Sequence, residues 1–123
     1  MQLSTGIDAI EISRISGVIH RHGSRFLRKI YTERELNYCQ GHQKELAARF
    51  AAKEAISKVL GTGLNGIYWR EMEVIPDTRG KPHVELHGHA KTRALELGIT
   101  TIALSITHTR DLAVASAVAI QTK

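Results

Sequence analysis

Between Lys44 and Leu60 the chain runs without a glycine or a proline and is rich in alanine, the residue with the highest helix propensity. Gly61 ends that helix and Gly63 extends the turn. At 100° per residue, Ala48, Ala51, Ala52, Ala55, Ile56, Val59 and Leu60 fill one broad side. Arg49, Lys53, Glu54, Ser57 and Lys58 fill the other, with Leu46 and Phe50 among them. Apolar groups nearly all round predict burial on more than one side, and charges on such a helix need partners. Glu54 and Lys58 are four apart, as are Arg49 and Lys53. That spacing alone favours a solvated Glu-to-Lys pair, which contributes roughly a few tenths of a kcal/mol. The glycine-rich tail GTGLNG follows its helix instead of preceding one, so it is not a phosphate loop of the Walker kind.

The remaining elements read as an α+β domain with an antiparallel sheet. Ser4 to Ile10 is a short apolar strand interrupted by Gly6 and Asp8. Ser13 is the expected N-cap of a helix carrying Ile15, Val18 and Ile19, which breaks at Gly23-Ser24. A second short helix holds Phe26, Leu27 and Ile30, and Thr32 with Glu35 forms a capping box for a third. A strand over Tyr68 to Ile75 and a turn at Asp77-Thr78-Arg79-Gly80 follow. Val84 and Leu86 alternate with polar neighbours, and Ala90 to Leu97 is helical up to Gly98. Ile102, Leu104 and Ile106 alternate along a strand. The turn at His108 to Asp111 leads into Leu112 to Ile120, apolar on both faces, and that pair reads as a central hairpin. There are no internal repeats or linkers, so residues 1–123 are expected to form one domain.

Hydrophobic residues make up 42% and charged residues 24% of the chain, fractions of a soluble globular protein. The single Cys39 excludes an internal disulfide framework. No apolar run approaches a membrane span, and the opening MQLSTGIDAIEISRI lacks the basic-then-apolar pattern of a signal peptide. The cytoplasm is the expected compartment. The net charge of +5 points to an anionic partner without choosing between nucleic acid, an acidic protein and a phosphorylated small molecule.

Two further residues stand out. Asp8 lies inside an apolar strand, where a carboxylate is paired, protonated, metal-bound or used as a local cap. Asp8 with Glu54 would suit Mg²⁺, which takes one or two carboxylates and completes its octahedron with water and phosphate oxygens. His108 sits at the turn of the last hairpin, where an exposed turn residue is the plain alternative; the other histidines show no metal-ligand spacing.

Several segments together resemble the holo-acyl-carrier-protein synthases. GIDAIEISRI resembles their opening motif, FLRKIYTEREL the intervening segment, RFAAKEAISKVLGTG the central signature, and GKPHVEL and SITHTRDLAVASAVA the later strand and terminal hairpin. Order and spacing agree nearly end to end, and the central signature is the specific one. Ala9 departs from the branched apolar residue more usual there, a packing change, and the loop Asn65 to Trp69 carries none of the resemblance.

The resemblance implies a 4′-phosphopantetheinyl transferase fold, a homotrimer with active sites at subunit interfaces, and Mg²⁺ as metal. Coenzyme A is the implied donor and a serine of apo acyl carrier protein the acceptor, in fatty-acid or polyketide synthesis. Carried onto this sequence, Asp8, Glu54 and Lys58 are catalytic, and Asp8 and Glu54 hold the metal. Glu54 would orient or deprotonate the nucleophile, and Lys58 would contact the phosphates. Arg49, Lys53, Ser57, Gly61, Gly63, Pro82, His108 and Thr109 are the other expected donor-binding residues.

From Ser13 to Ile30 there are Arg14, Arg21, Arg25, Arg28 and Lys29 and no acid. A solvated basic face explains this as it stands. The resemblance makes it a dock for the acidic carrier protein, with Phe26 as apolar anchor. A nucleic-acid-binding module shares the charge, but two Phe, three Tyr and one Trp are too few and scattered for stacking. A coenzyme A-binding protein without catalysis would not need Asp8, Glu54 and Lys58 together.

Overall fold

The computed structural model describes residues 1–123. Its elements are β1 (Gln2–Glu11), α1 (Ile12–His22), α2 (Ser24–Ile30), α3 (Glu33–Cys39), α4 (Gln43–Val59), a 3₁₀ turn (Trp69–Glu71), β2 (Met72–Pro76), β3 (Pro82–Leu86), α5 (Gly88–Leu97), β4 (Ile102–His108) and β5 (Leu112–Gln121). Three strands form an antiparallel sheet in the order β1-β5-β4, and β2 and β3 form a separate hairpin. The expected α+β architecture is what the chain adopts. No helix is long and apolar enough to cross a membrane.

Helix α4 lies across β1 and β5. The meeting surfaces are made of small side chains: Ala113, Ala115, Ala117 and Ala119 on β5 are buried, as are Ala48, Ala51, Ala52 and Ala55 on α4. At Gly6 the approach is close enough that a methyl group would overlap the Ala55 carbonyl oxygen and come within 3.0 Å of Lys58 Cβ. Ser4 Oγ donates to the Val59 carbonyl (2.7 Å), fixing the strand along the end of the helix. Gly6 pairs with Ala117 and Asp8 with Ala115, so both point from β1 toward α4.

The opposite face of this sheet is open. Leu3 (70% exposed), Ile7 (63%), Leu112, Val118 and Ile120 lie on it, with Leu3 directly opposite Ile120. The last strand is therefore apolar on both faces, as the sequence predicts, but a single chain covers only one of them.

Local capping follows the sequence at α3, where the reciprocal Thr32–Glu35 box forms. Two expectations fail. Glu11, not Ser13, is the N-cap of α1, because β1 stays paired through Glu11–Leu112 and Ile12 N–H then donates to the Asp111 carbonyl. The predicted strand from Tyr68 starts only at Met72. Lys53 Nζ takes the carbonyls of Trp69 (3.1 Å) and Met72 (2.7 Å), and Trp69 stacks on Phe50 at 4.9 Å, which holds the first residues in a 3₁₀ turn.

Candidate active site

Asp8, Glu54 and Lys58 come together where β1 crosses α4. Alternation along β1 turns Asp8 inward, and the four-residue spacing puts Glu54 and Lys58 on the same flank of α4. Lys58 Nζ donates to the Ile7 carbonyl (2.6 Å) and lies 3.6 Å from Asp8 Oδ1. Burial pushes the Asp8 carboxyl pKa up, against the opposing charge and hydrogen bond of Lys58. Glu54 is pushed up too, first by burial and then by the negative charge of Asp8, with Lys58 again opposing. Two neighbouring carboxyls, both with raised proton affinity and served by one ammonium, are short of positive charge. Their hard oxygen donors and half-buried setting fit Mg²⁺.

A second acidic group does not need a metal. Glu73, Glu85 and His87 bring ligand atoms within 4.8 Å of one another. The Arg34 guanidinium already stands between the carboxylates, 2.8 Å from Glu85 and 3.3 Å from Glu73. Glu73 also accepts a hydrogen bond from the Thr32 hydroxyl and pairs with His87, and these partners hold its carboxyl low against the upward push of burial.

Arg49, Pro82 and His108 gather elsewhere, around a cleft of about 220 Å³ that Tyr38, Glu45 and Gly80 also line. Glu45 and His108 connect it to a second cleft of about 620 Å³, walled by Ile12, His42, Gln43 and Lys44 at the start of α4. That end has no side-chain cap, so its first amides face outward, a favourable setting for an anion. Arg49 and Glu54 are five positions apart, which turns them roughly 140° around the helix axis. One chain thus carries two separate polar groups, a carboxylate–ammonium group beside β1 and a guanidinium–imidazole cleft on the far flank. The apolar cleft of about 380 Å³ under α5, between Val84, Leu86 and Ile102, contains none of the expected residues.

Two expected donor-binding residues are not available. Lys53 is 0% exposed and paired with Glu35 at 2.9 Å, in addition to its two carbonyls. Burial pushes its pKa down while Glu35 opposes, so this is a structural ion pair and no phosphate reaches it. Ser57 is likewise fully buried, its hydroxyl donating to the Glu54 carbonyl (2.7 Å). Gly61 and Gly63 close α4 with positive φ beside Lys58. Thr109 serves the β4–β5 turn, its hydroxyl accepting from Leu112 N–H at 3.1 Å. Arg14, Arg21, Arg25 and Arg28 are all exposed on α1 and α2. Phe26 is only half exposed and packs against Tyr31 and Phe50, so part of the expected anchor is spent inside the fold.

Sequence reasoning missed Tyr38 and Glu45. The Tyr38 ring lies 4.3 Å from the Arg49 guanidinium carbon, and Glu45 binds Arg49 at 3.1 Å. Only the Glu45–Arg49 spacing of four was available as a signal. It also missed Glu35 as the partner of Lys53.

The family model described as the 4′-phosphopantetheinyl transferase superfamily matches residues 4–117. The holo-[acyl-carrier-protein] synthase of Herpetosiphon aurantiacus is 49% identical over 120 residues, covering 92% of this chain and 94% of that protein. Its counterpart in Halothermothrix orenii is 47% identical over 113 residues, covering 89% and 90%. Among solved structures, the Helicobacter pylori holo-[acyl-carrier-protein] synthase in complex with coenzyme A superposes with a TM-score of 0.87 at 26% identity, covering 94% of this chain and 99% of that one. A signature centred on α4, polar groups on its two flanks and end-to-end matches in sequence and fold lead to one assignment: the chain belongs to the 4′-phosphopantetheinyl transferase superfamily.

Proposed function

We propose that the chain transfers the 4′-phosphopantetheine group of coenzyme A to a serine hydroxyl of an apo acyl carrier protein, as a holo-[acyl-carrier-protein] synthase does. The reading rests on the meeting of Asp8, Glu54 and Lys58 at the β1–α4 crossing. Phosphoryl transfer is mostly positioning and charge neutralisation, and this group supplies both. Mg²⁺ held by Asp8 and Glu54 would neutralise charge on the donor diphosphate. Glu54, whose proton affinity is raised, takes the serine proton directly or through water. The serine oxygen bonds to the phosphorus carrying pantetheine, that phosphorus loses its bridging oxygen, and adenosine 3′,5′-bisphosphate leaves. The Lys58 ammonium, anchored on the Ile7 carbonyl, stands beside Asp8 to meet the phosphate oxygens.

Residues 1–123 act as one such domain, assembled as a homotrimer in the cytoplasm and serving fatty-acid synthesis. Two observations support the trimer: the open apolar face of the sheet, and the separation of the half-sites around α4. Arg49, Pro82 and His108 of one protomer then face the Asp8 group of the next, and receive the nucleotide phosphates. Gly61, Gly63 and Thr109 border the donor as backbone contacts. The exposed arginines of α1 and α2 receive the acidic carrier.

The test is incubation with coenzyme A, Mg²⁺ and apo carrier, followed by intact mass. A phosphopantetheine adduct on the carrier serine is expected for the native chain. Asp8→Ala and Glu54→Ala should give none while keeping native circular dichroism. No adduct from the native chain, or full activity in either variant, overturns the proposal.

A further inference from the structure

We infer that Glu45 is a specificity-determining residue for donor recognition: its carboxylate, paired with the Arg49 guanidinium at the cleft, sets how strongly that cleft prefers a nucleotide carrying a 3′-phosphate. The inference rests on the reading above that Arg49 receives a donor phosphate.

Arg49 is 4% exposed, yet it is not an ordinary buried cation. Its Nη1 donates to Glu45 Oε2 at 3.1 Å, and the Tyr38 ring covers one face at 4.3 Å. Its Nε is buried with no partner. An unmet N–H on a buried guanidinium is costly, and a guanidinium fork matches an oxyanion with two N–H groups at once. The guanidinium is therefore held on two sides and has an N–H still unmet, and Arg49 lines the cleft together with Pro82 and His108.

Glu45 has two opposed effects on an incoming phosphate. It keeps the guanidinium oriented, which favours binding, and it presents a carboxylate where a second anion must come, which opposes it. The burial of Arg49 and the Tyr38 ring already fix the orientation, so the charge effect is the larger. Glu45 is 38% exposed and lines both clefts, so it can swing from Arg49 toward water when a phosphate arrives. Lys44, His42 and His108 remain to face the bound phosphate.

Calorimetry of the metal-loaded protein tests this with two pairs of probes: coenzyme A against 3′-dephospho-coenzyme A, and adenosine 3′,5′-bisphosphate against adenosine 5′-monophosphate. Glu45→Gln should tighten the 3′-phosphorylated member of each pair by about tenfold and leave the other within about twofold. Glu45→Asp, which keeps the charge, should keep the native preference. Arg49→Gln should erase it. If Arg49→Gln keeps the native preference, the phosphate role of Arg49 fails and this inference with it. If Arg49→Gln erases the preference but Glu45→Gln binds every probe as the native chain does, or tightens all of them equally, the role of Glu45 alone is overturned. Glu45→Ala serves as a second variant, with tightening in the same direction.

Discussion

Replacing Gly6 by alanine should damage catalysis from a position that touches no substrate. The added methyl would overlap the Ala55 carbonyl oxygen and crowd Lys58 Cβ at 3.0 Å. Neither neighbour is the free end of a flexible side chain. Relief requires β1 and α4 to part by about 1 Å, and overpacking of this kind costs about 1–3 kcal/mol of stability. The same parting separates Asp8 from Glu54 and Lys58, because Gly6 and Asp8 lie on one face of β1. A misplacement of that size costs on the order of 10²-fold in rate. Urea denaturation measures the first effect, and initial rates of holo-carrier formation at saturating coenzyme A and Mg²⁺ the second. Gly17→Ala is the control: its nearest neighbour is the mobile tip of Arg21 at 3.3 Å, so that variant should be neutral or gain up to about 1 kcal/mol. Native rate and stability in Gly6→Ala would refute the idea that close strand–helix approach sets the site.

Glu54→Gln should stabilise the metal-free protein at neutral pH. Burial and Asp8 raise the Glu54 pKa, so its contribution to stability is present below the ordinary carboxylate range and is lost as pH rises through the raised value. Thermal melts across that range should converge for native and variant at the acid end, and Mg²⁺ should stabilise only the native chain. Lys53→Met should cost about 3–5 kcal/mol by leaving Glu35 buried and unpaired, with Glu35→Gln in the same chain restoring much of it in chemical denaturation. Reversing charge at Arg14 or Arg21 should slow carrier association by about tenfold at low salt and leave coenzyme A affinity intact; equal loss of both would remove the separate dock.

What the sequence made legible was mainly local. The alanine run, the Thr32–Glu35 box and the Asp77–Gly80 turn each depend on neighbours a few residues away. The roles of the charges on α4 were not legible in that way. Glu45, Arg49, Lys53 and Ser57 form one stripe at four-residue spacing, yet the structure gives them different work. Lys53 and Ser57 are consumed inside the fold, Lys53 by Glu35 from a preceding helix and by the carbonyls of Trp69 and Met72, later in the chain. Those partners are distant in sequence and include backbone atoms, which no spacing rule reveals. Those carbonyls also explain why the strand expected from Tyr68 begins late. The family resemblance carried Lys53 and Ser57 as donor contacts because it reads a motif as a unit, and burial divides that unit.

The opposite flanks of α4 have a consequence in genetics. In the proposed homotrimer, a chain with Arg49→Gln lacks one half of each site, and a chain with Glu54→Gln lacks the other. In a closed ring where every site joins the halves of adjacent protomers, two inactive chains rescue each other. Dissociated and reassembled in equal amounts, they should recover about a quarter of the native activity, because one junction in four pairs two intact halves. Cells carrying both alleles would then live where neither allele alone suffices.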